Sequence, residues 1–476
     1  MNKEEYISKI EFGIVYILFG IVLLFQYSFA FSSEEFYLFI ELILAYFWTA
    51  GLFVYAKFEW NLNIFEPITI ITIIYEGIYV VKPIIDLRSH SMTEHGVSVI
   101  GGGPKATFIF VMGYTIFFFS YFVKHRKLVY DGHDLFQNKN VSNFFSNKWL
   151  PWLYSAWALV YMLCIYCMFT QGLSLRYIFS FGSEGVRTVD DSNTALLFLS
   201  NFGITLVTFW LMILEYSKNK MVKILTAVLC MVYLLMRNAR WLMLVFIVAP
   251  ITLFYLKRKK QPQLLLLLIV SFSGLVLFAW MQANRTTLIT GGAMQGWGKD
   301  GFTLEKLLAP FESDLSTYRT FYAMVERFPS QYSYVYGKTF MYTFVLFIPR
   351  ILWKGKPDNP TRDLVEQSLN KEARTAGTVF SNIGEFYANY GFLGVCVFMY
   401  LLGWITTSLK HFIFHSMLKK DLPDYYYIAY SILYPLLFQW VARGNFSANF
   451  YMTFFALLPI IIISIMININ NKKYQM

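Results

Sequence analysis

Apolar runs of about 20 residues, the length that crosses a bilayer as a helix, alternate with short polar connections along most of the chain. They fall at Phe12–Phe31, Phe36–Ala56, Ile64–Ile84, Ala106–Val123, Leu150–Thr170, Ala195–Leu214, Val222–Met236, Trp241–Leu256, Leu264–Met281, Phe392–Leu409, Tyr426–Val441 and Ala448–Ile467. The pattern predicts twelve transmembrane helices, nine within residues 1–281 and three within 392–476. Between them, residues 282–391 form a loop too long to be a simple connector, and loops of that size carry structure or function of their own. Inside it, Leu304–Arg327 has apolar residues at helical spacing, and Tyr334–Leu352 reads as an aromatic interfacial or re-entrant segment.

Composition sharpens the class. With 57% hydrophobic and 14% charged residues the chain is a polytopic, all-α integral membrane protein, and its 20% aromatic content fits belts at the membrane boundaries. The net charge of +11 does not imply nucleic acid, because the basic residues are scattered between the apolar runs. All four cysteines, Cys164, Cys167, Cys230 and Cys396, fall inside runs, so no disulfide framework is expected, and Cys164-x-x-Cys167 reads as packing. The N-terminus carries Lys3 and Lys9 before the first run and no small-residue cleavage site, which predicts a retained first span.

Charge then orients the spans. With the N-terminus inside, inner segments carry 20 Lys plus Arg and the short outer ones 8, as the positive-inside rule requires. Both termini are therefore expected in the cytoplasm. The long loop is outside by parity and adds 12 more, so inner and outer totals are equal at 20. Twelve of the 14 arginines nevertheless lie outside, where an even division would put seven. Orientation depends on summed charge, whereas the guanidinium fork suits phosphate and carboxylate better than an ammonium does. The segregation points to an outward-facing anion site.

Among the outer arginines, Arg237, Arg240, Arg285 and Arg443 stand at the ends of apolar spans, where ionisable groups are costly and are functional candidates. Arg237 and Arg240 flank a very short turn, and Arg443-Gly444-Asn445 makes a second one. Two guanidinium groups held this close either clamp an anion or snorkel to the interface. Glu385, between glycine and aromatics just before the tenth run, is a candidate general base for a sugar hydroxyl, or a helix-start carboxylate beside a positive dipole end. The acidic pairs Glu312/Asp314 and Asp190/Asp191 are too unselective to predict a metal, and no metal or cofactor is expected. His90 and His95 are outer acid or base candidates, and the membrane-embedded Glu76 and Glu41 are expected to pair with Lys82 or an outer arginine.

Three stretches resemble the Wzy-type oligosaccharide repeat-unit polymerases of bacterial O-antigen and capsule. Phe347-Ile348-Pro349-Arg350-Ile351-Leu352-Trp353-Lys354-Gly355-Lys356-Pro357 is similar to that family's proline-arginine, tryptophan, lysine-proline stretch. Phe380 to Gly394, FSNIGEFYANYGFLG, is similar to its serine, glycine-glutamate, asparagine-aromatic-glycine segment, and Arg240 to its arginine at the start of a span. The resemblance implies a GT-C-like glycosyltransferase of the bacterial cytoplasmic membrane that joins undecaprenyl-pyrophosphate-linked repeat units at its outer face. It further implies a flippase and a chain-length regulator as pathway partners. In that frame Arg237, Arg240, Arg285, Arg350 and Arg443 bind pyrophosphate, while Glu385 and Arg240 serve the chemistry. A ligase that moves finished polymer would share the phosphate clamp, and a flippase or polar-solute transporter would share the span count.

Overall fold

The computed structural model describes residues 3–130 apart from 28 and 61, 150–170, 202–258 apart from 238 and 239, 262–283, 314–376 apart from 347 and 349–351, 378–419 and 424–473. The described chain is helical except for short connections and one two-residue hairpin. Its main helices are α1 (Lys3–Leu24), α2 (Ser33–Trp60), α3 (Pro67–Glu76), α4 (Lys82–Arg88), α5 (Gly103–Tyr130), α6 (Leu150–Thr170), α7 (Phe202–Tyr216), α8 (Lys220–Arg237), α9 (Arg240–Lys257) and α10 (Leu264–Ala283). The loop contributes α11 (Thr317–Arg327), α12 (Lys338–Leu346), α13 (Pro360–Ser368) and α14 (Lys371–Ala376). The chain ends in α15 (Asn382–Lys419), α16 (Asp424–Ala442) and α17 (Phe446–Lys473).

A described helix lies over at least part of each of the twelve apolar runs. Among the described residues six helical stretches are long and apolar enough to cross a membrane: Ser33–Trp60, Pro67–Arg88, Ile100–Val123, Leu150–Cys167, Asn382–His411 and Phe446–Met466. Many of their large apolar side chains face outward, as on α6, where Leu159 is 62% and Met162 68% exposed. In water such a surface would drive association, whereas in a bilayer it is the solvated face. The chain is thus an all-helical protein with the surface of a multi-pass membrane protein.

Because lipid is as apolar as a leucine side chain, helices in a membrane associate through close packing and buried hydrogen bonds. The α5/α15 pair, the most extensive in the structure, shows both. A Cβ on Gly403 would stand 2.5 Å from the Phe117 carbonyl oxygen, so only glycine lets the backbones come this near. Ser120 Oγ donates to the Tyr400 carbonyl at 2.7 Å and Thr407 Oγ1 to that of Tyr121 at 2.5 Å. One core joins α1–α5 with α11, α13 and α15, a second joins α6–α9 with α16 and α17, and α16 reaches both.

Two polar layers separate the ends of the bundle. At one end Glu66 Oε2 accepts from Lys410 Nζ at 2.5 Å and Tyr121 at 3.1 Å, while Tyr430 binds the Phe65 carbonyl. At the other, here called the loop end, the buried Asp86 carboxylate takes Lys82 Nζ at 2.7 Å, Tyr318 Oη at 2.5 Å and Arg319 Nη2 at 2.7 Å. Lys82 is therefore engaged by Asp86 one turn on, and the expected pairing with Glu76 or Glu41 does not form. A buried acid held by cations from two elements fixes α4 against α11.

The segment expected to be interfacial or re-entrant contains α12, whose nine residues are too short to cross a bilayer. It packs on α17, with Met341 64% and Phe344 72% exposed. The expected helix over Leu304–Arg327 is realised as α11 over its described part.

Candidate functional site

The Phe380–Asn389 stretch is the polar junction of the loop end. Its backbone enters α15, which is broken at Tyr390 and Gly391, where Gly391 takes φ +63°. A short helical piece thus ends just before Phe392, and its last carbonyls need donors. Residues 335 and 336 supply them: Val335 N–H donates to the Ala388 carbonyl at 3.0 Å and Tyr336 N–H to that of Asn389 at 3.1 Å. The Asn389 side chain completes the cap, accepting from Gly337 N–H at 2.8 Å and donating to Thr339 Oγ1 at 2.8 Å. Glycine is required at the break, since a Cβ on Gly391 would lie 2.7 Å from Tyr334 Oη.

From the other side, Tyr75 and Tyr79 reach this stretch from the membrane. Tyr75 Oη lies 2.9 Å from Asn382 Nδ2, and Tyr79 Oη hydrogen-bonds Ser381 Oγ. Two tyrosines four residues apart share a helix face, a spacing visible in the sequence, whereas the segment they reach is set by tertiary packing. Tyr387 donates to the Phe328 carbonyl at the end of α11 at 3.0 Å, and Lys105 stands 5.8 Å from the centre of its ring. Burial, then the hydrogen bond with Tyr387, pushes the Tyr334 phenol up to about 12.

Glu385 is 2% exposed and sits at the start of α17, not open to solvent. Its Oε2 and Oε1 accept the Phe446 N–H at 2.9 and 3.2 Å. Phe446 is the first residue of α17, so the carboxylate satisfies an orphan donor at the positive end of that helix. Glu385 thus makes the contact of a helix-start carboxylate, on a helix from a distant part of the chain.

The turn between α16 and α17 is pressed onto the same stretch. Gly444 N–H donates to the Phe380 carbonyl at 2.5 Å, and a Cβ on Gly444 would stand 2.3 Å from the Ser381 oxygen. Arg443 is thereby fixed at the rim. Its Nη2 binds Asp314 Oδ1 at 2.8 Å, its only side-chain partner among the described residues, and its side chain is 31% exposed.

The other cations divide by use. Burial opposes the Arg319 charge, but Tyr318 and Asp86 together raise its pKa further, and it also binds Glu94 at 3.0 Å. Arg327 donates to the carbonyls of Gln367 and Leu369 at the end of α13. Lys356, from the lysine-proline stretch, donates to the carbonyls of Leu346 at 3.2 Å and Ile348 at 2.9 Å at the end of α12. These three act as structural cations at acids or helix C-termini.

Arg237 ends α8 and Arg240 starts α9. The start of α9 is at the loop end too: α9 packs along α16, and its far end meets Phe65 through Tyr255, where Tyr430 and Tyr434 of α16 also bind. The two helices thus run in opposite directions, placing Arg240 at the end of the bundle that holds Arg443. Arg285 and Arg350 lie outside the described residues.

Of the histidines, His90 Nδ1 is 3.1 Å from Glu35 Oε1. His95 and Gly96, both at positive φ, turn the hairpin of Thr93–Glu94 and Val97–Ser98, and His95 Nε2 is 2.9 Å from Thr378 Oγ1. Among the described residues no group of three His, Cys, Asp or Glu side chains could hold a metal.

A family model described as a domain of unknown function (DUF8712) matches residues 305–473. That region contains α11 to α17, and with them Glu385, the Arg443 turn and the junction between them. No curated protein and no solved structure matches the chain.

Proposed function

We propose that the chain is a membrane glycosyltransferase that polymerises undecaprenyl-pyrophosphate-linked repeat units at the outer face of a bacterial cytoplasmic membrane. In this reading the twelve apolar runs all cross, in a GT-C-like arrangement with both termini cytoplasmic, and the loop end faces outward. The observation that carries it is that the end of α8 at Arg237 and the start of α9 at Arg240 lie at the same end of the bundle as the Arg443 turn. That turn is held rigidly against the stretch that resembles the polymerases.

The reaction joins an acceptor hydroxyl oxygen at the non-reducing end of one unit to the anomeric carbon of the growing chain. The bond from that carbon to the pyrophosphate oxygen breaks, undecaprenyl pyrophosphate departs with the electron pair, and the hydroxyl proton passes to a base. Fixed guanidinium groups stabilise the departing charge, a large effect where water is excluded. Arg443, with Arg237 and Arg240, takes this role, and Arg285 and Arg350 are further candidates from the sequence. Glu385 acts as a positioning residue: it holds the start of α17 and, through it, the Arg443 turn.

Purified protein in proteoliposomes with a lipid-pyrophosphate-linked oligosaccharide tests this. A ladder of lengthened products is expected from the wild type, reduced at least tenfold by Arg443→Ala. Transfer of preformed polymer without lengthening would instead mark a ligase, and accumulation of unextended substrate across the bilayer a flippase.

A further inference from the structure

Glu76 lies midway along the helical stretch of residues 67–88, in the core of the bundle, where a five-residue π-helical segment, Gly77–Val81, separates α3 from α4. Its carboxyl Oε1 is 2.5 Å from Thr49 Oγ1 on α2, and Oε2 has no hydrogen-bond partner among the described residues. Thr49 Oγ1 is also 2.7 Å from the Ala45 carbonyl oxygen one turn back. A threonine hydroxyl owns one hydrogen. A carbonyl oxygen cannot donate, so the contact with Ala45 takes that hydrogen, and the proton between Thr49 and Glu76 has to come from Glu76.

The second oxygen leads to the same conclusion independently. As a carboxylate, Glu76 would leave a charged oxygen unsolvated in the core, a penalty of the kind that buried charges avoid by pairing or neutralising. No Lys, Arg or His is paired with it among the described residues; the titratable groups that feel it are phenols, Tyr16 of α1, Tyr46 of α2 and Tyr114 of α5. As a neutral acid, its unpartnered atom is a carbonyl oxygen, which is far cheaper to bury.

We infer that Glu76 is a proton-binding site, a neutral acid that donates its hydrogen to Thr49 Oγ1 and so fastens α2 to α3 at mid-depth. The π-helical segment follows it directly, and π-bulges in α-helices recur at functional positions. The same helical stretch carries Tyr75 and Tyr79, which hold Asn382 and Ser381, so this proton secures the helix on which the loop-end junction rests. The inference stands apart from the polymerase reading and does not depend on it.

Infrared difference spectra of the full-length protein in lipid nanodiscs at neutral pH test it, comparing wild type with Glu76→Gln. The expected result is one deuteration-sensitive protonated-carboxyl band present in the wild type and lost in the variant. Loss of carboxylate bands in its place, or no difference, would overturn the inference. Glu76→Gln keeps a donor for Thr49 and should fold. Should it not, Thr49→Val serves: the band persists but moves to higher frequency once its acceptor is gone, whereas an unmoved band or its absence sinks the proposal.

Discussion

Glu385 and Phe446 are 61 residues apart in the chain, yet the Glu385 carboxylate accepts the backbone N–H of Phe446 at 2.9 Å. This contact ties the entry of one long helix to the start of another and sets the position of the turn that carries Arg443.

Glu385→Gln keeps an acceptor for that N–H, whereas Glu385→Leu strands it in a buried site. Leaving a buried donor unsatisfied costs about 1–3 kcal/mol. Thermal unfolding in detergent should place the Gln variant near the wild type and the Leu variant clearly below it. Polymer length separates roles: a positioning residue keeps most activity as Gln, while loss of a general base would cost about 100-fold or more.

Gly444→Ala would drive a Cβ to 2.3 Å from the Ser381 oxygen. Backbone atoms cannot retreat as a flexible side chain can, so the turn has to move. A cost of about 1–3 kcal/mol is expected, as for overpacking elsewhere, and, under the proposed function, polymerisation as impaired as in Arg443→Ala. Unchanged polymer length would show that turn position does not matter.

Arg443 should behave differently from Arg319. Its ion pair with Asp314 is partly exposed, and such pairs contribute about 0–1 kcal/mol. Arg443→Ala is expected to unfold with the wild type while losing activity, and Arg443→Lys to recover only part, because an ammonium does not reproduce the planar fork. A large fall in stability would reassign Arg443 to the frame.

Asp86→Ala takes their shared acid from the buried Lys82 and from the part-buried Arg319, which keeps only Glu94. Breaking a buried pair in this way costs about 3–5 kcal/mol. The double variant Asp86→Ala with Arg319→Ala should lose less than the sum of the single losses, because the two share one interaction. Additive losses in a denaturation series would show that Asp86 and Arg319 do not act together.

Gly403→Val should separate α5 from α15, since a Cβ there meets the Phe117 carbonyl oxygen at 2.5 Å. Overpacking at this contact is expected to cost about 1–3 kcal/mol, seen as a lower unfolding temperature and reduced membrane accumulation.

The sequence by itself determined the helices. Apolar runs report whether a segment can be buried in lipid, and that depends only on local composition, so a described helix lies over at least part of each run, and the described part of the loop before α15 is partly helical. Chemistry at the loop end was legible only as residue type: Glu385, Arg443 and the FSNIGEFYANYGFLG stretch stood out. Their partners were not, because Glu385 to Phe446, Gly444 to Phe380 and Tyr79 to Ser381 are contacts between remote segments that no local pattern encodes. The same holds for the cations. Arg319, Arg327, Lys356 and Arg443 are all loop-end positive charges in the sequence, and only tertiary structure sorted them, since whether a cation meets a buried acid, a helix C-terminus or an open rim is decided by packing. Glu76 shows the division most simply: its place in an apolar run was readable at once, whereas the proton it holds follows from a single hydroxyl on another helix that has one hydrogen and two oxygens in reach.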